Sequence, residues 1–311
     1  MKTLIIGAGA MGCYFGTMLA AGGLPVTLYD VDQNKVDIIN SQGIVINDID
    51  GTDKTAAVPA VSAIEDAPPP ELVLVLVKSY ETAQAAREIG LIKNGDTRVL
   101  SLQNGLMHIG ELAKYIAKRQ IFSGVTYQSA YEIAPGRVRH TGSGLSILAP
   151  VLKISLNAAM DIARLLNNCQ LPAGATSDID AIRWKKLIIN CAINPLSALH
   201  GLPNGQLPKN PSIVHDMMEI VMEGVAVAQK VGVPLNYGEM WASVLDTCRA
   251  TAENRSSMLE DVTNGRTTEI EAINGSMVRL GEQHGVDTPV NLQMVRGVVA
   301  IHGKKDTMRV Q

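Results

Sequence analysis

The sequence predicts two consecutive domains: an α/β domain built on a doubly wound, mostly parallel sheet, and an all-α domain that follows it. Short apolar strands alternate with helical segments up to about residue 150, whereas only helical patterns continue after residue 152. The chain has 311 residues, a length typical of about two domains. We place the boundary between residues 170 and 171, so that the domains comprise 1–170 and 171–311.

The strands and helices of the first domain alternate along the chain. The clearest strand is ELVLVLV (71–77), because a continuous apolar run after a proline-rich break is typical of a strand buried on both faces. Further strands are expected at 2–7, 25–30, 44–47, 55–61, 98–102, 121–132, 137–141 and 145–150. Helices are expected at 10–22, 34–40, 81–89 and 106–118.

Only helices are expected after residue 152. Their apolar residues recur at helical spacing, and the segment 170–178 (QLPAGATSD) has the proline and glycine typical of a linker. The expected helices cover 155–168, 178–194, 211–231, 236–252, 269–284 and 289–301.

Composition and charge argue against several classes of protein. Hydrophobic residues make up 46% of the chain, which argues against disorder, and a net charge of −3 without a basic stripe argues against nucleic-acid binding. No apolar run approaches the ~18 residues of a membrane span, so no membrane association is expected. The four cysteines lack metal-binding spacing, and we expect a reduced, cytoplasmic protein without a metal site.

A glycine-rich motif, GAGAMG (7–12), stands between the first strand and the first helix. The alternative to a binding loop is a merely structural turn, but the strand–turn–helix context and a second strand ending in an acid favour dinucleotide binding by a Rossmann domain. The first glycine allows the tight turn, the second a close approach to the pyrophosphate, and the third close packing of helix on strand. Dinucleotide contacts are therefore expected from Gly7, Gly9, Ala10, Met11 and Gly12.

The residues after the second strand bear on the choice of dinucleotide. Asp30 ends that strand, where a carboxylate accepts hydrogen bonds from the adenosine ribose and repels a 2′-phosphate. Asp32 adds a second negative charge, and Lys35, the only local cation, is expected to face solvent. We therefore expect NAD(H) in preference to NADP(H).

The stretch IRWKKLIINCAINPLSALH (182–200) combines an apolar helix pattern with a polar row. Lys186, Asn190 and Asn194 are four residues apart, so they stack along one helical face. This row indicates a polar cleft, and together with the glycine motif it predicts a hydride-transfer enzyme in which Lys186 supplies a proton. The alternatives are a solvated Lys186 and an Asn194 that merely ends the helix before Pro195.

The chain resembles the ketopantoate reductase (2-dehydropantoate 2-reductase) family over nearly its whole length. The resemblance rests on these segments: GAGAMG (7–12), LVKSYET (76–82), LQNGLM (102–107), WKKLIINCAINPLSAL (184–199), PNGQL (203–207), ATAENRSSMLED (250–261) and TEIEAINGSMVRLGEQHG (268–285). It implies a Rossmann domain, a helical domain, an active site between them, and reduction of the small keto acid ketopantoate to (R)-pantoate in pantothenate biosynthesis. It also implies a homodimer through the helical domain.

The resemblance assigns roles to individual residues. The general acid corresponds to Lys186 and its partner carboxylate to Glu269. The implied substrate-binding residues are Asn104, Asn190, Asn194, Asn204, Asn254 and Ser257. The implied cofactor-binding residues beyond the glycine motif are Lys78, Asn104, Ala130 and Glu269.

Three of these residues also have local interpretations. Glu269 at the start of an expected helix would stabilise the helix dipole. Asn204 and Gly205 form an ordinary turn signal. Ser257, like Ser256, would serve as a helix cap.

The chain departs from the family pattern at Asp30 and Val31, where members that use NADPH usually have an arginine. This leaves NADP(H) open and makes an NADH-dependent D-2-hydroxyacid dehydrogenase, of the D-mandelate dehydrogenase kind, the alternative function. A non-catalytic nucleotide-binding protein is disfavoured because Lys186, Glu269 and Asn104 are all present.

Overall fold

The computed structural model describes the backbone of residues 1–308 and the side chains of residues 1–301. Two compact units are present, the first comprising 1–103 and 108–179 and the second comprising 104–107 and the chain from Asp180 onward. The boundary expected between 170 and 171 therefore falls inside the first unit. The predicted fold class, an α/β unit followed by an all-α unit, is confirmed.

The first unit contains twelve strands and five α-helices. The strands are β1 Thr3–Ile6, β2 Val26–Tyr29, β3 Ile44–Asn47, β4 Asp53–Ala56, β5 Ala60–Val61, β6 Leu72–Val75, β7 Arg98–Ser101, β8 Ile121–Thr126, β9 Ser129–Ala134, β10 Arg137–Gly142, β11 Ser146–Pro150 and β12 Ala173–Ala175. The helices are α1 Ala10–Ala21, α2 Gln33–Gln42, α3 Thr82–Ile92, α4 His108–Leu112 and α5 Leu156–Asn168.

The main sheet has eight strands in the order β12-β11-β8-β7-β6-β1-β2-β5. Every neighbouring pair is parallel except β8 and β11, which run antiparallel. The chain leaves β1 for β2 on one side and later returns to β6 on the other, so the strand order reverses beside β1. In open α/β sheets ligands bind beyond the carboxyl ends of the strands at such a reversal, where the glycine motif lies here.

A second sheet of four strands has the order β4-β3-β10-β9, and its strand β9 packs against α1. The sequence predicts one strand over 121–132, but the chain breaks it at Tyr127 and Gln128, so that β8 belongs to the main sheet and β9 to the second. At the break, the Gln128 side chain donates to the carbonyl oxygen of Gly144 over 2.8 Å. The strand expected over 55–61 is likewise divided, into β4 and β5.

Strand β12 corrects the expectation that no strand follows residue 152. It pairs in parallel with β11, and the Asn167 side chain bonds both the amide and the carbonyl of Ala173. Its sequence, Ala-Gly-Ala, carries neither alternation nor β-branched residues, so the strand depends on backbone pairing that no sequence pattern shows. This pairing is why the first unit extends to Ile179.

The second unit, as far as it is described, consists of helices: α6 Asp180–His200, α7 Pro211–Lys230, α8 Tyr237–Ala250, α9 Ser257–Thr263, α10 Asn274–His284 and α11 Pro289–Met308. Helix α6 is central, because α7, α8, α9 and α11 all pack on it. None of the described helices is long and apolar enough to cross a membrane.

Several helix boundaries differ from the prediction. Helix α6 continues past residue 194, α10 begins at Asn274 instead of residue 269, and α11 extends past residue 301. The short helix α9 has no counterpart among the predicted helices, and α4 covers only part of 106–118.

Helix α6 contains Pro195, which cannot donate to the carbonyl of Cys191 one turn earlier. The side-chain amide of Asn274 donates to that carbonyl over 3.2 Å and to Asn291 Oδ1 over 2.9 Å. Asn291 in turn donates to the buried carboxylate of Glu223 over 2.7 Å. This buried chain of hydrogen bonds lets the helix continue through the proline.

Candidate active site

The glycine motif forms an open loop between β1 and α1. Gly7 has φ of +100°, a conformation that favours glycine, and a Cβ at Gly12 would collide with the Gly7 carbonyl oxygen. A Cβ at Gly9 would meet no atom within 4 Å, and Gly9 caps α1 without a side-chain hydrogen bond. The first backbone amides of α1, including those of Ala10 and Met11, thus lie beside open space. Pyrophosphate binding requires such an arrangement.

Asp30 is fixed to this loop by its carboxylate. Oδ2 accepts from the Ala8 amide over 2.8 Å and Oδ1 accepts from the Asp32 amide over 3.1 Å. The side chain keeps 14% of its surface exposed. Because a carboxylate oxygen has more than one lone pair, Asp30 can still accept a hydroxyl hydrogen.

Lys35 does not face solvent, contrary to the prediction. Its ammonium lies 3.2 Å from Glu132 Oε1 and 3.9 Å from Asp30 Oδ2, and its side chain is only 16% exposed. Burial by itself lowers the pKa of Lys35, but Glu132 and Asp30 outweigh that effect and raise it above its usual value. The lysine is therefore a charged partner of Glu132 and, at a longer distance, of Asp30.

The other two predicted cofactor residues of the first unit lie on separate elements. Lys78 follows β6 and is half-buried, and its carbonyl accepts the Glu81 amide over 2.9 Å. Ala130 is the second residue of β9, and its side chain packs against the apolar core of the first unit.

In the second unit, Lys186, Asn190 and Asn194 share one face of α6. Lys186 and Asn190 are half-buried and Asn194 is buried. Asn194 does not end the helix, which continues through Pro195 to His200. Within the described part of the chain, no hydrogen bond is made by the side-chain amides of Asn190 and Asn194.

Glu269 and Asn104 form a pair that acts on Lys186. The buried Glu269 accepts from the Asn104 side-chain amide over 3.2 Å. Glu269 lies in a bend before α10 and is not the first residue of that helix. The interpretation of Glu269 as a residue that stabilises the helix dipole from the first turn therefore does not apply. Burial lowers the pKa of Lys186 to about 8, and the attraction of Glu269 opposes that shift.

Arg183, which no sequence motif indicated, contacts the segment that carries Asn104. Its guanidinium donates to the Leu106 carbonyl over 2.7 Å, and its side chain is only 14% exposed. It therefore holds the segment 104–107, which carries Asn104, against α6. Its position three residues before Lys186 on an apolar helix is the signal that could have found it.

Asn204 begins a short 3-10 helix, and Asn254 lies in the segment between α8 and α9. The Asn204 amide donates to the Asn254 carbonyl, and the Asn204 side chain donates to Thr251 Oγ1, each over 2.9 Å. Asn204 Oδ1 is buried and has no hydrogen-bond partner among the described residues. Such an acceptor is costly to leave unpaired, which marks it as a candidate for binding a ligand hydroxyl or water.

Ser256, not Ser257, caps α9. Its hydroxyl accepts from the Leu259 amide over 3.0 Å and donates to the Asn194 carbonyl over 3.3 Å. Ser257 is the first residue of α9 and is exposed. The Ser256 hydroxyl thus joins the start of α9 to α6. The Ser257 hydroxyl does not cap the helix.

A metal centre is not indicated in the described part of the chain. No group of three or more His, Cys, Asp or Glu side chains there could hold an ion. All four cysteines are buried and unpaired.

Comparisons with known proteins cover both units. A family profile described as ketopantoate reductase PanE/ApbA matches residues 3–152, and its C-terminal counterpart matches residues 178–302. The 2-dehydropantoate 2-reductase of Pyrococcus abyssi is 32% identical over 98% of this chain and 100% of its own length. That of Archaeoglobus fulgidus is 33% identical over 96% and 97%.

Solved structures show the same similarity. A D-mandelate dehydrogenase in complex with NADH and anilino(oxo)acetate superposes with a TM-score of 0.94 at 29% identity, covering 98% of this chain and 99% of its own. A PanE/ApbA family ketopantoate reductase from Ralstonia eutropha superposes with a TM-score of 0.89 at 30% identity, covering 98% and 100%.

Proposed function

The chain belongs to the ketopantoate reductase family, and on that premise we propose that it reduces 2-dehydropantoate to (R)-pantoate with a nicotinamide dinucleotide, a step of pantothenate biosynthesis. The observation that carries this proposal is Lys186, whose pKa is about 8. It shares its helix face with the side-chain amides of Asn190 and Asn194, which make no hydrogen bond among the described residues. The catalysed reaction is an oxidoreduction at a CH–OH group.

The first unit is proposed to bind the dinucleotide. The open loop at Gly9 and the uncapped start of α1 fit a pyrophosphate, and Asp30 fits the adenosine ribose. We assign further contacts to Gly7, Ala10, Met11, Gly12, Lys78 and Ala130. A nicotinamide bound there would supply a hydride to the keto carbon of the substrate.

Lys186 is proposed to supply the proton. With a pKa of about 8, it is mostly protonated at neutral pH and is still acidic enough to donate to the oxygen that gains negative charge. Glu269 favours the ammonium form, and Asn104 fixes the Glu269 carboxylate through a 3.2 Å hydrogen bond. Asn104 and Glu269 are also proposed to contact the dinucleotide.

The amides and the hydroxyl of the second unit are proposed to orient the keto acid. Polar groups of this kind decide orientation in a cleft poor in water. Asn190 and Asn194 lie on the Lys186 face, the latter tied through its carbonyl to the α9 cap. We assign the remaining substrate contacts to Asn204, Asn254 and Ser257.

NADH is the proposed reductant in preference to NADPH. The Asp30 carboxylate is fixed at the end of β2, where it would repel a 2′-phosphate. The similar D-mandelate dehydrogenase was solved with NADH, which supports the same preference.

A second candidate function follows from this cofactor preference. An NADH-dependent D-2-hydroxyacid dehydrogenase that acts on another branched keto acid would use the same Lys186 and Glu269. It is favoured by Asp30 and by the TM-score of 0.94 to D-mandelate dehydrogenase.

A matched steady-state assay tests the proposal. Ketopantoate is compared with 2-ketoisovalerate and 2-ketoisocaproate, each with NADH and with NADPH. The highest kcat/KM with ketopantoate supports the pantoate function, whereas a higher value with another keto acid and NADH supports the second candidate.

The proposal also includes a location and an assembly. Four buried, unpaired cysteines suit the reducing cytoplasm. The family resemblance implies a homodimer through the helical unit, which light scattering of the purified protein would test.

A further inference from the structure

Lys35 lies between two carboxylates at the ribose end of the proposed dinucleotide site. Its ammonium is 3.2 Å from Glu132 on β9 and 3.9 Å from Asp30 at the end of β2. The closer partner is Glu132, so Glu132 holds the lysine more strongly than Asp30 does at equal dielectric.

Lys35, Asp30 and Glu132 are largely shielded from solvent, which strengthens the electrostatic interaction among them. Their exposed fractions are 16% for Lys35, 14% for Asp30 and 19% for Glu132. Two carboxylates and one ammonium leave one net negative charge, to which the exposed Asp32 adds another. A doubly charged phosphate that approaches Asp30 therefore meets a repulsive field, although a lysine is within reach.

Backbone geometry fixes where Lys35 stands. The Asp32 side chain caps α2 by accepting the Lys35 amide over 3.1 Å, which sets the lysine in the first turn of that helix. On β9, Glu132 lies two residues from Ala130 and so points to the same face of the strand. The contact thus joins β9 to the α2 turn that follows Asp30.

We propose that Glu132 determines the preference for NADH over NADPH by sequestering Lys35 from a cofactor 2′-phosphate. Asp30 repels the phosphate directly, and Glu132 withholds a nearby cation that would attract it. The inference rests on the dinucleotide binding of the proposed function and adds a residue that the glycine motif and the Asp30 position do not contain.

Direct binding of NADH and NADPH to the purified full-length protein tests this inference without any keto acid. Dissociation constants are measured by quenching of protein fluorescence or by calorimetry at low ionic strength. Glu132→Gln keeps the shape of the side chain and removes its charge. We expect it to tighten NADPH binding about tenfold while the NADH constant changes less than about threefold.

Two matched controls isolate the lysine. The control for the loss of a negative charge is Glu71→Gln. Glu71 is an exposed carboxylate of the same unit, and it lies at the amino end of β6, whereas the proposed dinucleotide site lies at the carboxyl ends of the strands. It should leave both dissociation constants unchanged. Adding Lys35→Met to Glu132→Gln should abolish the gain in NADPH binding. If thermal melting shows that Glu132→Gln does not fold, the same gain in NADPH affinity is expected of Glu132→Ala.

The outcomes separate this inference from the proposed function. If the wild-type protein binds NADH but Glu132→Gln and Glu132→Ala gain no NADPH affinity, the inference is overturned and the proposed function stands. A gain that persists without Lys35 overturns it as well. If the wild-type protein binds neither dinucleotide, both are overturned.

Discussion

The Asn104 side-chain amide donates to the Glu269 carboxylate over 3.2 Å and so links the segment 104–107 to the bend before α10. The same segment is held to α6 by Arg183, which donates to the Leu106 carbonyl over 2.7 Å. Asn104 therefore fixes the group that acts on the charge state of Lys186. This arrangement depends on three stretches that are far apart in the sequence.

The pH dependence of turnover should report Lys186. Because the protonated lysine is the acid and its pKa is about 8, kcat/KM for keto acid reduction should be flat below pH 8 and fall above it. Glu269 raises that pKa, so Glu269→Gln should move the fall to lower pH. The measurement is kcat/KM over the range from about pH 6 to 10 for both proteins.

Glu271→Gln is the control for this experiment, because Glu271 is an exposed carboxylate two residues away that pairs with Arg279. It should leave the pH profile unchanged. A Glu269→Gln profile identical to that of the wild type would show that Glu269 does not act on Lys186.

Arg183 should act as a positioning residue. Arg183→Met removes the hydrogen bond to Leu106 and loosens the segment that carries Asn104, so kcat should fall about tenfold to a hundredfold. Dinucleotide affinity should stay within about threefold, and Arg183→Lys should restore part of kcat because a lysine can also donate to the carbonyl. Equal losses in Arg183→Met and the neighbouring Lys185→Met would argue against this role.

Two glycines of the motif should respond differently to alanine. Gly9→Ala adds a Cβ where no atom lies within 4 Å, so the melting temperature should be unchanged while dinucleotide affinity falls at least about tenfold. Gly12→Ala collides with the Gly7 carbonyl and should lower the melting temperature itself. Thermal melts paired with NADH titrations distinguish the two variants. Unaltered NADH binding by Gly9→Ala would contradict the proposed binding of the pyrophosphate at this loop.

The hydrogen bonds that the Asn274 side chain makes to Cys191 and Asn291 should contribute several kcal/mol to the free energy of unfolding. Asn274→Ala leaves the Cys191 carbonyl and Asn291 Oδ1 without their donor, which should cost about 2–5 kcal/mol in the free energy of unfolding. Pro195→Ala restores a backbone amide that can donate to Cys191, so Asn274→Ala should cost less in that background. Additive losses in urea denaturation would refute the compensation between the two residues.

The sequence is informative where periodic patterns are strong. The apolar run before Lys78 and the polar row Lys186, Asn190 and Asn194 both lie on the expected elements. The unexpected strand β12 and the misplaced start of α10 show the limit, because neither Ala-Gly-Ala nor the turn at Glu269 has a periodic signal.

Sequence patterns do not predict side-chain contacts between segments that are far apart in the chain. The sequence does not predict the burial of Lys35, because Lys35 lies in α2 whereas its partner Glu132 lies far along the chain on β9 of the second sheet. Arg183 is overlooked because its acceptor is a backbone carbonyl, which any residue provides. Both contacts require knowledge of which elements pack together.

The role of Lys186 is tested most directly by the turnover of Lys186→Ala with ketopantoate, measured together with its NADH dissociation constant. We expect kcat to fall by about 10²–10⁴, the usual contribution of general acid catalysis, while NADH binds as in the wild type. Turnover close to that of the wild type, with NADH binding intact, would contradict the assignment of Lys186 as the proton donor.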